Sequence, residues 1–557
     1  MNKLKNIFIG GAWPYANGSL HLGHIAALLG ADVLARYYRL KGNNVLYVSG
    51  SDCHGTPITV AAEKQGVNPV DIANKYDKEF RHDLIDRLGF SFDLFSKTID
   101  KKHQKTVQEI FLKLLDKKLI YNKTQELPFC DKCNRFLPDR YVEGVCPHCG
   151  FVGARGDQCD NCGKLLDAKE LKNPVCKNCG GTPKWRKSEH FFLKLSAFEE
   201  QLKNWIKPQT YWRANVYKFT LAMLDGGLKD RAITRDVDWG VDVPVKGFEN
   251  KRIYVWFEAV CGYLSASKKW AKQTNNKWEN FWSASGGLGS ECRHYYVYGK
   301  DNIIFHTIIW PAILMGVGGL NLPTDMISSE YLNLEGKQLS TSRNWAVWAP
   351  DFLDKFDADS LRYFLIANGP ETTDVNFTWK TYQERNNSEL VGNFGNFINR
   401  IIGFSYKNFG NEIPKASLLD EQDEEFLSKC QNVYQKVGKA IEGGNFRHAF
   451  KLVFNIAEEG NRYIDQKSPW TTIKTDKKRT QTTINVCLQV IYNLRVLINP
   501  FLPFSSQKIS ELFNVEKDNF QWDFQNIPDK AKLQKSIPLY QKIEDEVIEE
   551  ELNKLRS

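Results

Sequence analysis

A short apolar strand that turns sharply into a long helix narrows the fold of this chain more than any other feature. Ile7, Phe8 and Ile9 supply the strand, and Pro14-Tyr15-Ala16-Asn17-Gly18-Ser19 supplies the turn. The string His21-Leu22-Gly23-His24 then opens a helical run from about Leu22 to Leu40. A helix N-terminus carries free N–H groups and partial positive charge, which suits a polyphosphate. Two imidazoles three residues apart lie near one face of that corner. Gly23 lets a nucleotide approach the backbone closely.

The pattern continues as a doubly wound parallel sheet. Asn44–Val48 reads as a second buried strand, ending at Gly50-Ser51-Asp52, and such sheets bind ligands at the carboxyl ends of their strands. From about Lys117 to Val243 the pattern breaks, and strand signals resume at Arg252–Trp256 and Tyr295–Tyr298. The middle segment is therefore an insertion between two halves of one sheet. From about Thr381 apolar residues recur at helical spacing, as Phe394, Phe397, Ile398, Ile401, then Ala449, Phe450, Val453, Ile456, then Ile484, Leu488, Ile491, Leu494. That is a helical bundle. The boundaries expected are 1–116 and 249–325 for the two halves of the sheet domain, 117–248 for the insertion, 326–386 for a linker and 387–557 for the bundle. A chain of 557 residues is too long for one core, which agrees with several domains.

Composition bounds the partners. A formal net charge of +9 permits a nucleic-acid partner without requiring one. The N-terminal apolar stretch is short and runs into Gly10-Gly11, unlike a secretion signal. The longest apolar stretch, Ile303–Leu322, is interrupted by His306, Pro311 and a glycine cluster, so it reads as a buried core helix, not a membrane span. No membrane association and a cytoplasmic location are expected.

Eight of the 13 cysteines fall in four CxxC units of the insertion: Cys130/Cys133, Cys146/Cys149, Cys159/Cys162 and Cys176/Cys179. Eight thiols are ligands for two tetrahedral Zn²⁺ sites, with no open position, so the metal is structural. Spacing leaves two pairings open. A nested one joins the inner four on one ion and the outer four on another; a sequential one joins neighbouring units.

His21-Leu22-Gly23-His24 resembles the HIGH signature of class I aminoacyl-tRNA synthetases, and the surrounding AWPYANGSLHLGH resembles the methionyl-tRNA synthetases in particular. The resemblance continues in order through GSDCHGTP (Gly50–Pro57), RIYVWFEAVCGY (Arg252–Tyr263), YGKDNIIFH (Tyr298–His306), GKQLSTSRN (Gly336–Asn344) and SPW (Ser468–Trp470). It implies an α/β fold: a Rossmann-like doubly wound sheet split by a zinc-binding insertion and followed by an all-α anticodon-binding bundle. It implies ATP-dependent attachment of L-methionine to tRNA(Met) through a methionyl-adenylate, with Mg²⁺ accompanying ATP. The inner cysteines resemble the single zinc knuckle of shorter relatives, which favours nesting. Relatives for leucine, isoleucine and valine carry a much larger hydrolytic domain at this point, for which the insertion has no room. Nothing after the bundle resembles an extra dimerisation domain, so a monomer is expected.

The resemblance assigns Ala12, Trp13, Tyr15, Trp256, Ala259, Tyr263 and His306 to the methionine side chain, and Asp52 to its ammonium. The family usually has Asp where this chain has Glu258, a difference expected at the pocket rim. His21, Gly23, His24, Lys300, Asp301, Lys337, Ser340, Thr341 and Arg343 are assigned to ATP, with His21, His24 and Lys337 catalytic. The second signature, KMSKS in the family, aligns with Gln338-Leu339-Ser340-Thr341-Ser342, so both its lysines are missing. Lys337 is expected to supply the charge, with Arg343 second. Asn396, Arg400 and Trp470 are assigned to the CAU anticodon. Two other readings compete: another class I synthetase such as the cysteinyl enzyme, and a zinc-containing RNA-binding paralogue without catalysis, supported only by the altered signature.

Overall fold

The computed structural model describes residues 5–556 apart from 160, 165, 285–291, 341–344, 516–519 and 537. The chain opens with β1 (Asn6–Gly11), α1 (Leu22–Leu40) and β2 (Asn44–Ser51), followed by β3 (Leu94–Lys97) and α2 (Lys101–Asp116). Ile7, Phe8 and Ile9 are buried, as are Leu46, Tyr47 and Val48, because the sheet is covered on both faces.

The insertion then begins as a long antiparallel pair, β4 (Ile120–Cys130) with β5 (Lys184–Leu193). A small sheet of Val142–Val145, Val152–Arg155 and Lys172–Cys176 lies between them in sequence and carries two of the cysteine units in its loops. The catalytic domain resumes with the helical turn Val255–Glu258, α3 (Gly262–Thr274), β6 (Cys292–Gly299) and β7 (Asp325–Ser329). The five strands form one parallel sheet in the order β7-β6-β1-β2-β3. The chain winds one way from β1 to β3 and the other way through β6 and β7. The crevice at the carboxyl ends of β1 and β6 is thus the topological switch point, where such sheets bind nucleotides.

β7 pairs with β6 from Asp325 to Ser329, so the sheet reaches four residues past the boundary expected at 325. The linker beyond it holds a small sheet of Leu332–Leu334, Lys337–Gln338 and Val375–Phe377, and α4 (Ala358–Ala367). The stretch from Ile303 folds as Phe305–Ile309 and Trp310–Val317, nearly all buried. No helix among the described residues is long and apolar enough to cross a membrane.

The bundle contains α5 (Asn396–Phe409), α6 (Glu421–Glu442), α7 (Phe446–Lys467) and α8 (Lys477–Ile498). All twelve apolar residues of the helical repeat named above are buried. The last helix, Asp545–Arg556, packs back through a 2.7 Å ion pair between Lys355 and Glu551. One buried arginine ties the catalytic domain to the bundle. Arg362 of α4 donates to Asp32 of α1 at 2.7 Å and to the Phe501 carbonyl at 2.7 Å. Burial opposes ionisation of Asp32, but Arg36 and Arg362 hold its carboxyl well below the usual carboxylate range.

Candidate active site

His21 caps α1, and the cap decides how both histidines are presented. The Gly23 N–H donates to His21 Nδ1 at 3.1 Å, and the His21 N–H donates to His24 Nδ1 at 3.1 Å. The rings stack with centroids 3.8 Å apart. A nitrogen that accepts from a backbone N–H carries no proton, so each neutral ring carries its hydrogen on Nε2. Burial pushes His24 down to about 4, and burial and His24 together push His21 well below its ordinary value. The corner is therefore two neutral Nε2–H donors beside the partial positive charge of a helix end. Neither Nε2 has a partner among the described residues.

The signature loop lies against this corner. Leu22 N–H donates to Val347 O at 3.1 Å, and Ala349 N–H to Leu20 O at 2.7 Å. A Cβ on Gly23 would stand 3.0 Å from the His21 ring and 3.1 Å from Leu339 Cδ1, so a larger residue there would press on both. Ser340 and Trp345 exchange backbone hydrogen bonds of 2.9 and 3.0 Å, closing the loop tip. Lys337 is exposed, with Nζ 4.7 Å from the Trp345 ring centroid. Thr341 and Arg343 lie outside the described residues.

Lys300 and Asp301 follow β6 but are engaged with the linker. Lys300 Nζ pairs with Glu330 at 2.9 Å and Asp374 at 2.8 Å, and lies 3.7 Å from the Tyr331 ring centroid. Asp301 accepts from the Tyr331 hydroxyl. The charge of Lys300 is thus neutralised within the chain.

The residues assigned to the methionine side chain come together at the ends of β1, β2 and β6. Trp13 packs against Gly50 and Gly262, where a Cβ would stand 2.6 and 2.8 Å from the indole. Its ring meets Tyr263 edge-on at 6.5 Å. Trp256 Nε1 donates to the Tyr15 hydroxyl at 3.1 Å, and its ring lies 4.5 Å from Phe305. His306 Nδ1–H donates to the Asn302 carbonyl at 2.8 Å, so its Nε2 accepts from the Tyr263 hydroxyl, 2.7 Å away. Burial pushes His306 down to about 4, which keeps it neutral in that role. Ala12 and Ala259 are half-buried, and the Ala12 N–H donates to the Val297 carbonyl at 2.9 Å.

Asp52 is only 3% exposed, and no lysine or arginine is paired with it among the described residues. Its backbone closes on the β1–α1 turn through Ala16 N–H to Asp52 O at 2.8 Å and Asp52 N–H to Pro14 O at 2.8 Å. Burial, and then the charge of Glu258, push its carboxyl well above the ordinary range. Glu258 itself is fully buried on His54 and His103, so the expectation of a rim position is corrected. The helical turn that leaves Trp256 half-buried carries Glu258, two residues on, into the interior. Phe305, His54 and His103 are parts of this region that sequence reasoning missed. His54 stood in the matched GSDCHGTP string, and His103 carried no signal.

The cysteines group as Cys130, Cys133, Cys176, Cys179 and as Cys146, Cys149, Cys159, Cys162, the four sulfurs of each set within 4.8 Å of one another. That is the nested grouping. β4 and β5 run antiparallel and bring the outer units to the same end. Sulfur separations include 3.4 and 3.8 Å in the outer set and 3.9 and 3.6 Å in the inner. A tetrahedron with Zn–S near 2.3 Å has edges of about 3.8 Å, so both sets fit zinc.

In the bundle, Asn396 and Arg400 lie one turn apart on α5. Ser468, at φ 43°, ends α7 in the left-handed region, and Pro469 redirects the chain to present Trp470, which is 42% exposed. The Arg400 guanidinium is 5.1 Å from the Trp470 ring centroid and 2.8 Å from Asp465. The structure thus joins Arg400 and Trp470 across 70 residues.

A family model described as tRNA synthetases class I (M) matches residues 7–402, so fold and site together are those of a class I aminoacyl-tRNA synthetase. A second, described as the anticodon binding domain of methionyl tRNA ligase, matches residues 413–556. Methionine–tRNA ligase 1 of Alkaliphilus oremlandii is 47% identical over 551 residues, covering 99% of each chain. A methionine–tRNA ligase of Bacillus cereus is 47% identical over 554 residues, again 99% of each. The chain belongs to the methionyl-tRNA synthetase family. The solved Mycobacterium tuberculosis methionyl-tRNA synthetase in complex with methionyl-adenylate shares the fold, with a TM-score of 0.79 and 22% identity over 96% of this chain and 100% of that one.

Proposed function

We propose that this chain attaches L-methionine to tRNA(Met) in two steps, through a methionyl-adenylate and with release of pyrophosphate and AMP. The observation that carries the reading is the pair of neutral, stacked imidazoles at the switch point, in a fold that also brings a cluster of aromatic side chains and a buried carboxyl, without a cation among the described residues, to the ends of the same sheet's strands.

The substrate carboxylate is already a nucleophile, so attack on the α-phosphorus of ATP needs positioning and charge stabilisation, not a general base. His21 and His24 donate their Nε2–H groups to phosphate oxygens, and the Gly23 backbone borders the nucleotide. Mg²⁺ accompanying ATP would neutralise phosphate charge. Lys337, exposed and free of carboxylates among the described residues, supplies the cation that the altered signature lacks, and Ser340, Thr341 and Arg343 are assigned to ATP with it. Asp301 binds the ribose. Lys300 braces the linker on Glu330 and Asp374, which holds Tyr331 and Asp301 in place. Asp52 takes the methionine ammonium. Trp13, Tyr15, Trp256, Tyr263 and His306, with Ala12 and Ala259, enclose the thioether, whose polarisable sulfur packs well on aromatic rings.

Asn396, Arg400 and Trp470 read the anticodon by stacking and base-edge hydrogen bonds. Two Zn²⁺ ions on the nested thiolate sets hold the insertion together and take no part in the reaction. The enzyme works as a cytoplasmic monomer. Methionine-dependent ATP–pyrophosphate exchange and charging of tRNA(Met) test the reading. Tight tRNA binding with no adenylate formation would replace it with the RNA-binding alternative that the missing lysines favour.

A further inference from the structure

Behind the cage lies a polar cluster with no part in the activation chemistry. Glu258 Oε1 lies 2.5 Å from His54 Nδ1 and 3.3 Å from His103 Nε2. His103 Nδ1 is 2.9 Å from Ser265 Oγ. The His54 backbone N–H donates to Asp52 Oδ1 at 3.3 Å. All five side chains are buried. They come from separate elements: Asp52 and His54 from the end of β2, Glu258 from the turn that also carries Trp256, His103 from α2, and Ser265 from α3 beside Tyr263. The cluster therefore joins the segment that bears Asp52 to the segments that bear Trp256 and Tyr263.

The cluster is built for direction and not for packing. A buried carboxylate on imidazoles carries a desolvation cost that an apolar side chain of similar volume avoids. Burial opposes the ionisation of Glu258, yet His54 and His103 hold its carboxyl below the ordinary range. Glu258 Oε2 has no partner among the described residues, and neither has Trp13 Nε1 in the cage. The other titratable groups facing Asp52 are Tyr15 from the β1–α1 turn and Cys53 and His54 beside it, with Asp77 one shell further on, held by Ser51. None of them is a cation that pairs with Asp52.

We propose that Glu258 is a positioning residue for methionine binding. Through His54 and His103 it clamps the two walls of the pocket together and aims the Asp52 carboxyl at the substrate ammonium. The proposal rests on the assignment of Asp52 to that ammonium. One carboxylate oxygen of Glu258 reaches both imidazoles.

The test is ATP–pyrophosphate exchange with Glu258→Gln, Glu258→Asp and Asp52→Asn, measuring KM for methionine and for ATP separately. Glu258→Gln keeps the shape but can no longer accept from both rings as an anion. It raises KM for methionine about tenfold, the scale of one charge-assisted hydrogen bond, and leaves KM for ATP within about twofold. Glu258→Asp, which keeps the charge, loses less. A KM for methionine within twofold of the parent in Glu258→Gln overturns the clamp, and so does an equal rise in both KM values. If Glu258→Gln does not fold, His103→Gln breaks one arm alone, and an unchanged KM for methionine there overturns the clamp as well. Raised KM in Asp52→Asn beside an unchanged Glu258→Gln removes the clamp and keeps the ammonium assignment; unchanged KM in Asp52→Asn removes the assignment itself.

Discussion

Asp52→Asn is expected to weaken methionine binding and to stabilise the empty protein, and the two effects share one cause. Asp52 is 3% exposed, and burial and Glu258 push its carboxyl well above the ordinary range. An acid whose folded-state pKa exceeds its unfolded value takes up a proton on folding. Its stability contribution is intact below the unfolded pKa and is lost as pH rises through the folded one. At neutral pH the native Asp52 therefore subtracts stability. Asn keeps an acceptor for the His54 N–H and cannot ionise, so the subtraction disappears. For the substrate the sign reverses. An arriving ammonium favours the carboxylate, so methionine binding releases a proton, and affinity rises with pH through the raised pKa. Hydrogen bonds to charged groups are worth about 1.5–3 kcal/mol, so Asn should raise KM for methionine by about 10- to 150-fold. KM for ATP should stay within about twofold, since the proposed partner of Asp52 is the methionine ammonium. Exchange kinetics over the whole pH range in which the enzyme stays folded, and thermal melting of the empty protein, read both effects. The parent KM for methionine should fall as pH rises, and the variant's should be flat. A variant that melts lower than the parent, with KM unchanged, would refute the reasoning.

Further outcomes follow from the same site map. Lys337→Ala should slow pyrophosphate exchange by about 10²–10³-fold, by analogy with removing a donor aimed at developing charge, whereas Lys337→Arg should retain most activity; an unchanged rate for the alanine variant removes Lys337 from the chemistry. Trp470→Ala should reduce kcat/KM for tRNA charging by about 5- to 150-fold, the worth of one stacked base, while exchange without tRNA stays at parental level; equal loss in both assays would mean a structural role. Metal analysis should find two zinc ions per chain in the parent and one in Cys149→Ser, with the insertion protease-sensitive in the variant; full retention of both ions would contradict an inner four-thiolate site. His24→Ala should lower kcat in exchange by about 10²-fold or more with KM for methionine little changed, since its proposed partner is a phosphate oxygen; a rise confined to KM for methionine would place His24 elsewhere.

Much of this site was legible because its signals are local. A strand, a turn and a helix that begins with His21 are neighbours in sequence, so the helix N-terminus and its two imidazoles could be read from one string. The apolar repeats of the bundle have the period of the helices they form, and all twelve of the residues named are buried. The cysteine units declare the number and kind of ligands by their spacing. Other features escaped because they depend on contacts between distant residues. Lys300, assigned to ATP on the resemblance, is held in the structure by Glu330 and Asp374, 30 and 74 residues away. Glu258 reads as a rim residue until the Val255–Glu258 turn buries it against His103, which lies 155 residues earlier.

By itself the sequence determined the class of fold, the order of the domains, the eight thiols, and the absence of both lysines from the signature loop. Those are matters of residue type and of spacing within a few turns of backbone. The tertiary structure alone decided which cysteines share a cluster, which nitrogen of each signature histidine is left to donate, and that Asp52 is buried without a cation while Glu258 carries the charge behind it. Each of these depends on where the chain's long-range folding removes water and brings a partner, and no local pattern of side chains encodes that.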